Sequence, residues 1–214
     1  ADNNTAVGSS ALAANTTGTA NVAVGGGALD ANTTGSYNNA FGVSSLTSNT
    51  TASNNTAFGH ASLFTNTTGT NNTAMGYEAL ANNTTANRNI AVGGASMLDN
   101  TTGAENVAVG FNSLTNNTTG NRNVSLGDAS SLLNTTGSDN VSVGQQALRT
   151  NSTGGTNTAI GQKALYENAT ASENTGVGYQ ALTANTTGTQ NVAVGSGSLD
   201  ANTTGVHNTA VGYA

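Results

Sequence analysis

The chain repeats itself every seventeen residues. Gly8, Gly25, Gly42, Gly59, Gly76, Gly93, Gly110, Gly127, Gly144, Gly161, Gly178, Gly195 and Gly212 each close the same short motif, and no insertion or deletion disturbs their spacing. A fixed period of this kind excludes a globular domain with irregular loops and requires one structural unit per repeat, stacked on its neighbours.

Numbered from its first Asn, the repeat reads N-[T/V]-A-V-G-x-x-[A/S]-L-x-x-N-T-T-[G/A]-x-x. Thr, Val, Asn and Gly dominate, and helix formers such as Glu, Lys and Arg are scarce, so strand and turn are favoured over helix. Such a unit is too short for a helical hairpin or a propeller blade but suits one turn of a solenoid. The expected fold is therefore all-β: a single parallel β-solenoid (β-roll) spanning residues 1–214, with about 12.5 rungs. Twelve rung steps of ~4.8 Å give a rod of roughly 58 Å.

Position four is apolar in all thirteen copies, and position nine is apolar in every copy except Ser131. Together they are expected to form a narrow core. Position three is always small, and alternation along the strand places it on the face opposite position four. This makes Ala6, Ala23, Ala40, Ala57, Ala74, Ala91 and Ala108 a candidate subunit interface. The glycines at positions five and fifteen are read as corners needing permissive backbone angles.

Position one is Asn in every copy, and so is position twelve: Asn15, Asn32, Asn49, Asn66, Asn83, Asn100, Asn117, Asn134, Asn151, Asn168, Asn185 and Asn202. Stacked amides form hydrogen-bonded ladders or cap turns. Position fourteen is always Thr, so each of these asparagines also begins an N-x-T triplet, the acceptor for N-glycosylation. The Thr columns raise a third reading, an array that orders water in an ice-binding solenoid. Against it, adjacent Thr residues in an extended strand point to opposite faces. At position seventeen, Arg88, Glu105, Arg122 and Asp139 alternate in sign on successive rungs, a surface ladder that suits in-register stacking.

With 10 acidic and 4 basic residues and a net charge of −6, the chain is no electrostatic partner for nucleic acid. No apolar run is long enough to span a membrane. Cysteine is absent, and His60 and His207 occupy different repeat positions, so no metal site is expected. No nucleophile elbow, calcium-repeat signature or phosphate-binding loop before a helix is present, so no catalytic residue and no cofactor are assigned, and the chain is read as a non-enzyme. Tyr77, Tyr179 and Tyr213 share position six with Phe111 and suggest an intermittent contact stripe.

The strands "NVAVG", "NTAVG", "NTAMG" and "NVSVG", each followed by a corner, resemble the β-roll repeats in the heads of trimeric autotransporter adhesins. "NTAVGSSALAANTTG" and "NTGVGYQALTANTTG" are still more similar to repeats of phage and bacterial fibre proteins that can end in an endosialidase-type chaperone domain. The resemblance implies a left-handed homotrimer, a fragment of a longer fibre at the cell surface, in the extracellular space or on a virion. Its implied role is to space or present a binding tip, with further copies of itself, a host surface or a glycan as partners.

Overall fold

The computed structural model describes residues 1–213, and they form one β-solenoid in which each rung is one repeat of the sequence. Thirteen three-residue strands, β1 (Thr5–Val7) through β13 (Thr209–Val211), occupy positions two to four of successive repeats. They pair in sequence order into one parallel sheet. The register is always one repeat, as in Val22↔Asn39, Ala23↔Ala40 and Val24↔Phe41. Among the described residues no helix is long and apolar enough to cross a membrane.

Outside the strands the backbone still bonds along the axis. Leu29 N–H donates to Ser45 (3.0 Å), Thr33 to Thr50 (2.8 Å) and Tyr37 back to Thr19 (3.0 Å). Much of the rung therefore behaves as a ladder, although only three residues in each have strand geometry. Backbone donors are satisfied by neighbouring rungs, which is why a rung cannot stand alone.

The core corrects the expected inward face of the strand. Leu29, Leu46, Leu63, Leu80, Met97 and Leu114 at position nine are fully buried, as the pattern predicts. Position four is not: Phe58, Met75, Val109 and Ile160 are 55%, 43%, 39% and 40% exposed. The inward strand residue is the small one at position three. Ala23, Ala40, Ala57, Ala74, Ala91 and Ala108 are fully buried against the leucines, and Ala6 in the first rung is exposed with the rest of its strand. These alanines line the interior and are not a subunit interface. The reason is size: one Leu, the two Asn amides and the Ala or Ser of position eight fill the cross-section, leaving the strand room for a small side chain only, Ala in most rungs and Ser at Ser125 and Ser142.

The two glycine positions have different causes. Position five takes φ from +128° to +146° at every copy, and at all but the last, Gly212, a Cβ there would strike the backbone of the next rung. Position fifteen does not use positive φ. There the space is taken by the next rung's carbonyl and the Asn amides, yet Ala52, Ala86 and Ala171 occupy the equivalent position. Positive φ instead falls on non-glycine residues at positions seven, nine and seventeen, as at Glu78 (52°), Leu80 (54°) and Arg88 (60°). These left-handed residues turn the chain so that positions eight and nine both point inward.

Ser131, the exception in the leucine column, is matched by exceptions around it. Its hydroxyl lies 2.8 Å from that of Ser142, Ser142 lies 2.8 Å from Ser130, and Ser130 lies 2.7 Å from Ser125. This buried serine chain separates two apolar clusters. Restoring the consensus with Ser125→Ala, Ser131→Leu and Ser142→Ala together will stabilise the fold by about 1.5–3 kcal/mol, the value of one buried Leu side chain, in urea unfolding. Ser130 would keep the next rung's carbonyl as its acceptor, as Ser96 does with Ala108 (3.2 Å). Ser131→Leu alone will gain less, because its side chain would meet the Ser142 hydroxyl.

Candidate functional site

Both Asn columns are buried ladders that converge on one carbonyl. At position twelve, Asn32 Nδ2 donates to Asn15 Oδ1 (3.0 Å) in the rung before and to Gly35 O (3.0 Å) three residues on. At position one, Asn21 Nδ2 donates to the same Gly35 O (2.9 Å), while Asn21 Oδ1 accepts from Asn38 N–H (2.9 Å). The pattern recurs through Asn49, Asn66, Asn83, Asn100, Asn117, Asn134, Asn151, Asn168 and Asn185 to Asn202. Each interior position-twelve amide nitrogen thus has both hydrogens engaged, one along the ladder and one on the turn carbonyl. Glycosylation at these N-x-T triplets would have to precede folding and would then block stacking.

The two Thr columns differ. The position-thirteen hydroxyl donates to the next rung, as from Thr33 to Thr50 O (3.0 Å). Position fourteen, from Thr17 to Thr204, is exposed in all twelve copies. At position seventeen the ion pairs form within pairs: Arg88 to Glu105 at 2.9 Å and Arg122 to Asp139 at 2.6 Å. Hydrogen bonding to Arg122 holds the Asp139 carboxyl below its usual range, and the Arg122 guanidinium is correspondingly raised. Both groups are exposed, so the pair adds little to stability.

The outer face of the sheet is the largest departure from an ordinary soluble surface. Positions two and four project from it along the whole rod, with position four apolar on every rung. Ile90 at position two is 42% exposed. An exposed apolar strip this continuous is uncommon on a monomeric protein.

A second feature breaks the repetition, on the side of the rung that follows the position-five corner. His60 and Tyr77 share position six on adjacent rungs and stack at 5.5 Å with an interplanar angle of 10°. Hydrogen bonding and negative charge from Glu78 raise the Tyr77 phenol. Beside them lies a groove of about 460 Å³. The repeat register alone superposes these residues, and sequence reading that treated His60 as isolated missed them. Further along, Arg149 and Lys163 sit 5.8 and 5.7 Å from the Tyr166 ring. Among the described residues no three His, Asp or Glu side chains gather as metal ligands.

Comparison of the chain with protein-family models, curated proteins and solved structures returned no match.

Proposed function

We propose that this chain is a non-catalytic structural and adhesive segment of an extended fibre or filament, displayed outside the cell or on a virion and assembled from copies of itself. The observation that carries the reading is the unbroken axial ladder of backbone and Asn hydrogen bonds in one register. Such a cross-section lengthens rung by rung without redesign and has no other evident product than length. The outer strip of positions two and four supports self-association, because a second copy offers the same rung spacing and the same apolar row. Three copies per fibre is the number that the resemblance to adhesin heads implies. Ice binding has one observation in its favour, the exposed position-fourteen Thr column. The neighbouring Thr column is engaged between rungs, so the fibre reading is preferred.

Light scattering during size exclusion tests it. The chain should elute at a multiple of its 20.9 kDa mass. Met75→Lys, Val109→Lys and Ile160→Lys together should reduce it to a monomer with an unchanged circular-dichroism spectrum, since these side chains lie on the outer face. A wild-type monomer at all concentrations would overturn the assembly.

A further inference from the structure

We propose that the groove on rungs three to six binds a neutral carbohydrate, with one sugar ring seated between Phe64 and Leu98. The inference deepens the adhesive part of the fibre reading and rests on it. Position ten carries Phe64, Ala81 and Leu98 on three successive rungs, a large, small, large sequence that hollows the surface. Ala81 is 6% exposed and Ala61 is also buried, so they form the floor. Phe64 and Leu98 stand two rung spacings apart, about 10 Å. That gap admits a saturated ring in contact with each wall at ~4 Å.

The rim is polar. Ser44 contributes a hydroxyl, His60 an imidazole and Glu78 a carboxylate. Asn82 donates to Asp99 Oδ1 at 3.0 Å, which orients its amide and leaves the amide oxygen available as an acceptor. An apolar slot with a few convergent polar groups is the ordinary form of a small-ligand site. A sugar matches it chemically: its C–H faces cover apolar and aromatic surface, and its hydroxyls both donate and accept. The stacked His60–Tyr77 pair extends the aromatic surface beyond the slot for a neighbouring ring. Charge selects the class of sugar. Glu78 and Asp99 are acidic, and neither takes part in the ion pairs Arg88–Glu105 and Arg122–Asp139. Sulfated, phosphorylated or carboxylated glycans would be repelled.

The test is binding of the fluorescently labelled full chain to an array carrying neutral hexose and N-acetylhexosamine oligosaccharides beside sialylated and sulfated ones. At least one neutral class should bind. Phe64→Ala and Glu78→Gln should each weaken it by about tenfold or more, while Asp128→Asn, a carboxylate on another part of the rod, should not. Phe64 is 39% exposed, and a circular-dichroism spectrum and elution volume equal to wild type will show that its variant folds. No binding, binding of anionic glycans alone, or binding indifferent to Phe64 and Glu78 would each overturn the proposal. Particle mass measured on the same samples separates the two readings: a multimer that binds no glycan removes the carbohydrate site and leaves the fibre.

Discussion

Asn83→Asp will destabilise the solenoid by about 3–5 kcal/mol at neutral pH, the cost of an uncompensated buried charge. Asn83 is fully buried. Its Nδ2 donates to Asn66 Oδ1 (2.8 Å) and Ala86 O (3.1 Å), and its Oδ1 accepts from Asn100 Nδ2 (3.0 Å). A carboxylate keeps only the last of these and turns an oxygen toward two acceptors. Burial and those acceptors raise the folded-state pKa of the new carboxyl above its unfolded value of ~3.9. The sign follows: the protonated acid can donate one bond, so the penalty is smallest below the unfolded pKa and grows as pH rises through the folded one. Urea titrations at pH 7 and pH 4, each referenced to wild type at the same pH, measure this. An equal loss at both would mean that the ladder does not depend on amide donors. Because rungs contact only their neighbours, the variant should also unfold in two steps, breaking near rung five, the rung of β5 (Thr73–Met75).

Gly93→Ala will cost about 3 kcal/mol or more, whereas Gly103→Ala will cost about 1 kcal/mol or less. Gly93 has φ +131°, and an added Cβ would lie 2.7 Å from the Gly110 carbonyl carbon and closer still to its oxygen. Relief requires moving the next rung, and with it the axial ladder. Gly103 also looks crowded, with Asn100 Oδ1 at 2.6 Å from such a Cβ. Yet Ala52, Ala86 and Ala171 occupy the equivalent place on other rungs, and Asn49 still donates to Ala52 O at 3.0 Å. The repeats thus act as internal controls: position five tolerates no side chain in thirteen copies, and position fifteen tolerates a methyl group in three. Thermal unfolding of the two variants should separate them clearly; similar losses would show that positive φ at position five is not the constraint.

The period by itself determined that each repeat is a rung, that every residue pairs with its counterpart one repeat later, and that identical Asn side chains stack into ladders. Those conclusions need only the constant spacing, because any other pairing would break the register thirteen times over. It also marked Leu at position nine as interior. What alternation could not decide was which strand face turns inward, since period two separates positions three and four without ranking them. Bulk suggested position four, but the tertiary structure chose position three, because Leu from the opposite wall and two Asn amides already fill the rung and only a small side chain fits. That choice leaves the apolar row on the outside and the alanines inside the rung. Tertiary structure likewise set the left-handed residues at seven, nine and seventeen, where glycine occurs only at Gly27 and Gly197, and joined Ser125, Ser131 and Ser142 into one network. The groove beside His60 arises the same way, from side chains a full repeat apart in sequence and one rung apart in space.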